Sequence, residues 1–125
     1  WEAVLAHGIL HQQVDQWLVA DTPQARFYAS ISAKTRQWAQ TGRGDRWHVA
    51  DALAMAQALS PEHAQESLQR PLAVEVAGQH TRGATIVDWN RQTGANDNVA
   101  ILMRYNQAHF EQMLQACLQS PLVSR

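Results

Sequence analysis

The sequence predicts a fold of helices and strands, either α+β or one end of an α/β protein. Three observations support this prediction. Apolar residues recur at helical spacing through the first half, alternate with other residues after Pro71, and return to helical spacing over residues 107–118. The order is therefore helices, then strands, then a closing helix. A chain of 125 residues, 46% of them hydrophobic, fits one globular domain, so residues 1–125 are predicted to form a single segment.

Two helices are predicted in the first 40 residues. The first covers about residues 10–20, where apolar side chains follow a helical period after looser structure at the start. The second begins at Asp21-Thr22-Pro23, because Asp and Thr cap helices and Pro is tolerated in the first turn. It is predicted to end near Gln40. Its apolar face is predicted to carry Phe27, Ile31, Thr35 and Trp38.

A loop and a third helix follow. Residues 41–46 include two glycines and three charged side chains, which predicts a flexible loop. The third helix is predicted over about residues 50–59, and Pro61 stops it shortly afterwards. The polar residues 61–69 are predicted to form a short turn or the end of a helix.

The pattern from Leu72 onwards predicts a β-hairpin and a third strand. Alternation over residues 72–76 indicates a half-buried strand, and residues 84–89 are β-branched and form its hairpin partner. A polar loop then leads to a third strand at residues 99–104. The closing helix is predicted to present one apolar face, made of Phe110, Met113, Leu114, Cys117 and Leu118.

The composition excludes several classes of function. With 10 basic and 11 acidic residues, the chain offers no electrostatic argument for nucleic acid or for an anionic membrane. No apolar run approaches the roughly 20 residues needed to span a bilayer. Cys117 is the only cysteine, which excludes a disulfide framework and favours a reducing cytoplasm. His7 and His11 stand four residues apart, but without an evident third ligand they do not predict a metal site.

Asp51 and two tryptophans are the candidates for chemistry. As an acid in the first turn of a helix, Asp51 is favoured by the helix dipole, which needs no further function. As a ligand of a hard cation such as Ca²⁺, it requires partners elsewhere, because Ca²⁺ takes 6–8 oxygen ligands. Trp38 and Trp47 flank the Gly-rich loop, so they either pack in the core or close over a planar ligand. The residues alone leave both alternatives open.

Four segments occur in a distinctive order: RFYASISAKTRQWAQ, VADALAMAQALSP, VEVAGQHTRGATIVDW and NDNVAILMRYNQAHFEQML. They resemble, in turn, the helix before the active-site loop, an Asp-x-Leu-Ala-x-Ala motif, a Thr-Arg-Gly hairpin and the closing strand and helix of the inosine–uridine-type nucleoside hydrolases. Trp1-Glu2 is similar to the family's Pro-Trp-Glu. The resemblance covers essentially the whole chain and identifies it as the C-terminal part of a family member.

The resemblance implies an α/β fold and hydrolysis of the N-glycosidic bond of ribonucleosides. In the family, a Ca²⁺ ion held mainly by an aspartate cluster binds the ribose diol and activates water. Asp51 matches the C-terminal calcium ligand. The implied partners are a ribonucleoside substrate and further copies of the chain, as a dimer or tetramer. The implied location is the cytoplasm.

Two departures from the family pattern shape the expectation. The N-terminal Asp-x-Asp-x-Gly-x-Asp-Asp motif and the ribose-binding residues are absent, so this chain is expected to be part of a longer enzyme and inactive alone. Many members carry a histidine just before the calcium-binding aspartate, as the acid for the leaving base, where this chain has Ala50. The alternatives are His48 as the acid, or stacking of the base on Trp38 or Trp47. Purine versus pyrimidine preference stays open.

Two further hypotheses compete with the enzyme. The chain is either a free-standing, catalytically inactive remnant that binds a partner or assembles as an oligomer, or a piece complemented by a separate N-terminal fragment. The reading frame upstream of Trp1 separates the enzyme from the remnant, because the aspartate motif is expected there only for the intact enzyme. Co-purification would reveal a complementing fragment.

Overall fold

The computed structural model describes residues 2–42 and 44–120, and the chain forms two compact units. Unit 1 consists of the described parts of Trp1–Ala64 and Tyr105–Arg125, and unit 2 is Gln65–Arg104. Trp1, which carries part of the family resemblance, and Arg43 of the predicted loop lie outside the described residues. Among the residues described, no helix combines the length and the apolar character that crossing a membrane requires.

Unit 1 is mainly helical. Its helices are α1 (Glu2–Ala6), α2 (His11–Leu18), α3 (Pro23–Gly42), α4 (Ala50–Leu59) and α5 (Gln107–Gln119), with a 3₁₀ turn at Pro61–His63. Two short strands, β1 (Ile9–Leu10) and β2 (Arg46–Trp47), pair antiparallel and join the start of α2 to the segment before α4. The third predicted helix is confirmed with the same bounds, and the closing helix ends one residue later than predicted.

The start of α3 follows the predicted capping pattern. The Thr22 hydroxyl oxygen accepts a hydrogen bond from the Ala25 N–H at 3.0 Å, and Pro23 is the first helical residue. The same hydroxyl donates to the Leu118 carbonyl near the end of α5. This cap therefore fixes where α3 begins and ties it to α5.

The prediction of which face of α3 is buried is wrong. Phe27, Ile31 and Trp38 are 65%, 60% and 57% exposed. The buried residues of α3 are instead Ala25, Ser32, Arg36 and Ala39. Three of these side chains are small, so α3 packs closely against α2 and α5. The spacing of the hydrophobic residues alone did not indicate this buried face.

The core of unit 1 includes a histidine as well as apolar side chains. His7 is buried; its Nδ1 lies 2.5 Å from the Ala3 carbonyl oxygen, and its Nε2 lies 2.7 Å from the Tyr105 carbonyl oxygen and 3.0 Å from the Tyr105 backbone nitrogen. Both ring nitrogens of His7 therefore contact backbone groups within the core. The main buried apolar residues are Ile9, Val14, Trp17, Leu53, Tyr105, Phe110 and Leu118.

Unit 2 contains the predicted hairpin. Strands β4 (Leu72–Val74) and β5 (Thr85–Val87) pair antiparallel, with Leu72 opposite Val87. In the polar loop that follows, the Asp88 carboxylate accepts the N–H groups of Gln92 and Thr93 at 2.9 and 2.8 Å. These hydrogen bonds lower the pKa of Asp88 below its ordinary value, and the bond from the Thr93 N–H has the largest effect.

The sequence analysis did not predict the strand that pairs with the third predicted strand. Strand β3 (Ala64–Arg70) lies where a turn or helix end was predicted, and it pairs with β6 (Val99–Tyr105). The segment AQESLQR is mostly polar, so it shows no apolar alternation. Pairing with β6 satisfies the backbone groups on one edge of β3, which shows that tertiary context outweighs local β-propensity here.

Candidate active site

A cleft of about 410 Å³ opens in unit 1 between α3, β2 and the first turn of α4. It brings together three of the four residues singled out from the sequence: Trp47, His48 and Asp51. Trp38 is not among the described residues that line this cleft, so its stacking role stays a prediction. The helix α3 contributes Tyr28, Ile31, Ser32 and Thr35 to the lining of the cleft.

Asp51 is the second residue of α4, and its side chain is exposed at the cleft. Val49 occupies the cap position, so Asp51 is not the helix cap. Within residues 2–42 and 44–120, its carboxylate makes no hydrogen bond or ion pair. The first-turn position predicted from the sequence is confirmed, and both carboxylate oxygens are available to a ligand.

Trp47 is held by contacts on two sides. Its backbone pairs with Ile9 across β1 and β2, and its indole Nε1–H donates to the Tyr28 hydroxyl at 2.7 Å. The His11 ring lies behind it, with the ring centroids 6.0 Å apart. An apolar cavity of about 140 Å³ also borders Trp47 and Tyr28, on the core side. The indole is therefore a fixed wall of the cleft.

His48 lines the cleft with one ring nitrogen already engaged. Its Nε2 lies 3.3 Å from the Leu5 carbonyl, which only accepts hydrogen bonds, so Nε2 carries a proton. A neutral His48 then presents Nδ1 as an acceptor. His48 can therefore donate a proton to a leaving base only in its imidazolium form.

Gly8 makes room for His48. A Cβ atom at residue 8 would lie 2.6 Å from His48 Nε2 and 2.9 Å from the Arg46 Cβ. We expect Gly8→Ala to lower the free energy of unfolding by about 1–3 kcal/mol, as overpacking does, and to displace His48. Thermal unfolding of the full-length protein measures this. The control is Gly42→Ala, where no atom lies within 4 Å of the new Cβ; equal effects of the two variants would contradict the prediction.

His11 is a buried histidine to which the sequence analysis assigned no role. It is 5% exposed, and neither ring nitrogen has a hydrogen-bond partner among the residues that the structure describes. Burial lowers the pKa of His11, and the nearby Arg36 charge lowers it further. The carboxylates of Asp15 and Asp45 raise this pKa in part, while His48 adds a small lowering.

The lowered pKa of His11 predicts a pH-dependent stability. The unfolded chain takes up the proton first, so the stabilisation is complete above the ordinary pKa of about 6.5. It is lost as the pH falls from there towards the lower pKa of the folded state, at no more than about 1.4 kcal/mol per pH unit. Urea unfolding of the full-length protein between pH 8 and 5 tests this. His11→Leu is expected to flatten the dependence and His80→Gln, at an exposed position, to keep it; an unchanged slope in His11→Leu would contradict it.

Tyr28 is a site residue that the prediction missed. It shares a face of α3 with Ser32 and Thr35, at positions i, i+4 and i+7, and all three line the cleft. The signal was present as a stripe of hydroxyl side chains. The apolar spacing of Phe27 and Ile31 predicted a different inner face for α3, so the stripe was not assigned to a site.

The cleft offers one carboxylate for a metal ion. In the described part of the chain, no three His, Cys, Asp or Glu side chains lie close enough together to form a metal site. Since Ca²⁺ takes 6–8 oxygen ligands, Asp51 fits as one ligand of a site completed by other residues. The exposed, unbonded carboxylate at the cleft is suited to that role.

Comparison with solved structures places the fold among nucleoside hydrolases. An inosine–guanosine nucleoside hydrolase superposes with a TM-score of 0.78 and 22% identity, over 95% of this chain. A purine-preferring ribonucleoside hydrolase from Gardnerella vaginalis superposes with a TM-score of 0.69 and 20% identity, over 94% of this chain. This chain spans 37% and 39% of the lengths of those two proteins. At such identities the likeness establishes the fold, which is α/β as the resemblance implied.

The sequence defines the family more closely. The family model for inosine-uridine preferring nucleoside hydrolase matches residues 1–112, so the chain belongs to this family, whose members are metal-dependent hydrolases. A comparison with curated proteins finds no match. The family assignment made from the four segments is confirmed.

Proposed function

We propose that this chain is the C-terminal segment of a longer, calcium-dependent enzyme that hydrolyses the N-glycosidic bond of ribonucleosides. The observation that carries the proposal is the position of Asp51, Trp47 and His48 in one cleft of a chain from this family. The lengths of the two structural neighbours, which this chain spans only in part, support a longer enzyme.

The proposed reaction is the addition of water across the C1′–N bond. The water oxygen bonds to C1′, the C1′–N bond breaks with its electrons on the base, and the proton lost by the water ends on the base. A bound Ca²⁺ would supply a Lewis acid that lowers the pKa of water and orients the ribose hydroxyls. Asp51 would hold this ion as one of several ligands, and its negative charge favours the oxocarbenium-like sugar of the transition state.

The leaving base is proposed to lie against Trp47. The indole plane is fixed by Tyr28 and His11, so it stacks on a base with little loss of side-chain entropy. His48 as an imidazolium is the alternative donor to the base, and Trp38 is the alternative stacking partner. A planar indole accepts purines and pyrimidines, so both classes belong in the assay.

The same proposal includes the cellular setting. We place the enzyme in the cytoplasm, in the salvage of purine or pyrimidine bases, and as a homo-oligomer, a dimer or tetramer. Size-exclusion chromatography with light scattering on the full-length protein measures the last of these. A monomer at micromolar concentration would contradict it.

A catalytically inactive remnant is the second candidate function. The observation that favours it is that Asp51 is the single carboxylate among the described residues lining the cleft, because one Asp does not hold Ca²⁺. Such a remnant would serve as a binding or oligomerisation module, or would be complemented by a separate N-terminal fragment. Co-purification of a second chain that carries the aspartate motif would identify the complemented form.

An assay of the full-length protein separates the candidates. Release of ribose from inosine and uridine is measured as reducing sugar, and release of the base by chromatography. Turnover of either nucleoside supports the enzyme. No release of ribose or base from either one, by a folded protein supplied with Ca²⁺, would overturn it in favour of the remnant.

A further inference from the structure

The hydroxyl group of Tyr28 has a defined orientation in the cleft. Its oxygen accepts the Trp47 indole N–H at 2.7 Å, and an indole nitrogen is a donor only. One lone pair of the Tyr28 oxygen is therefore occupied. The hydroxyl proton must point away from the indole N–H.

The proton of this hydroxyl group has no acceptor within the described chain. Tyr28 lines the same cleft as Trp47 and Asp51, and the position before Asp51 is occupied by Ala50, which donates nothing from its side chain. The other tyrosine provides a contrast, because the Tyr105 hydroxyl is buried and lies 3.1 and 2.9 Å from the carbonyls of Ala56 and Ser60. The Tyr28 hydroxyl is thus a half-satisfied group on a residue that lines the cleft.

We infer that Tyr28 donates a hydrogen bond to the leaving base, and that Trp47 positions the Tyr28 hydroxyl for this contact. This inference rests on the proposed function. A base stacked on the Trp47 indole places its ring nitrogens and carbonyl oxygens within reach of the neighbouring hydroxyl. These acceptor atoms gain electron density as the C1′–N bond breaks.

The chemistry of this contact is hydrogen bonding to a developing charge. The Tyr28 proton stays on its oxygen, and the base takes its proton from the water consumed in the reaction, so the atom balance of the hydrolysis is unchanged. Because Trp47 fixes the hydroxyl before the substrate binds, little reorganisation accompanies the reaction. The contact strengthens in the transition state and accelerates bond breaking.

Two substrates with different leaving groups test this role on the full-length enzyme. Inosine needs stabilisation of its departing base, whereas 4-nitrophenyl β-D-ribofuranoside releases a stable nitrophenolate. Tyr28→Phe is expected to lower kcat/KM for inosine by about 10²-fold, in the range for loss of one preorganised donor. It is expected to change kcat/KM for the nitrophenyl riboside by less than about 3-fold, because the sugar and the water are handled as before.

Tyr105→Phe is the matched control, since it removes the other tyrosine hydroxyl from a position outside the cleft. It is expected to leave the ratio of the two kcat/KM values unchanged. An equal loss on both substrates, or no loss on inosine, in Tyr28→Phe would overturn the inference and leave the hydrolase standing. A wild-type protein that cleaves neither substrate would overturn the proposed function itself, and the inference with it.

Discussion

Asp51→Asn in the full-length protein is expected to lower kcat/KM for ribonucleosides by about 10³-fold, more than the 10–100-fold typical for loss of a second-shell partner of a metal ligand. Asn keeps the shape of the side chain but removes the charge that a hard cation prefers. The same variant is expected to bind Ca²⁺ more weakly. Steady-state kinetics with calcium titrations, followed by calorimetry of Ca²⁺ binding, measures both effects.

The control for this substitution is Asp21→Asn. The Asp21 side chain is 80% exposed and pairs with Arg26 at 2.9 Å, an ion pair outside the cleft. Exposed ion pairs contribute about 0–1 kcal/mol, so this variant is expected to keep its activity and its calcium affinity. Undiminished activity of Asp51→Asn would remove Asp51 from the metal site and return it to the role of a first-turn acid.

Phe110→Ala is expected to lower the free energy of unfolding by about 3–5 kcal/mol, the range for truncation of a buried aromatic side chain. Phe110 is 1% exposed and lies on the inner face of α5, which packs against α2, α3 and α4. Its loss leaves a cavity where these helices meet. Urea unfolding of the full-length protein, followed by tryptophan fluorescence, measures the change in the midpoint at constant slope.

A second substitution at the same position, which removes less buried volume, serves as the control. Phe110→Leu keeps most of the buried volume, so it is expected to lose clearly less stability than Phe110→Ala. Equal and small losses in both variants, below about 0.5 kcal/mol as at surface positions, would show that Phe110 is not part of the core.

Local signals predicted most of the helices. The bounds of α4 follow from its apolar composition and from Pro61, and the start of α3 follows from Thr22 and Pro23, so both were predicted within about two residues. The strand β3 depends on its pairing with β6 and not on its own residues. No periodicity within AQESLQR could have indicated it.

The candidate site was predictable where its residues are close in the sequence. Trp47, His48 and Asp51 fall within five consecutive residues just before and into α4. The Gly-rich loop located Trp47, and the adjoining family motif located Asp51 and, by its position relative to Asp51, His48. Tyr28 lies 19 residues before Trp47 on another element, and its contact depends on which face of α3 is buried. That face is set by small residues packing against α2 and α5, which the apolar spacing misassigned.

The dependence of nucleoside hydrolysis on the metal ion tests most directly whether calcium, bound in part by Asp51, assists the reaction. Release of ribose from inosine and uridine by the full-length protein is measured before chelation, after EDTA, and after Ca²⁺ is restored. EDTA is expected to abolish turnover, and Ca²⁺ is expected to restore it in the wild type but only weakly in Asp51→Asn. Turnover that persists undiminished in EDTA would contradict calcium-assisted hydrolysis and the role of Asp51 in it.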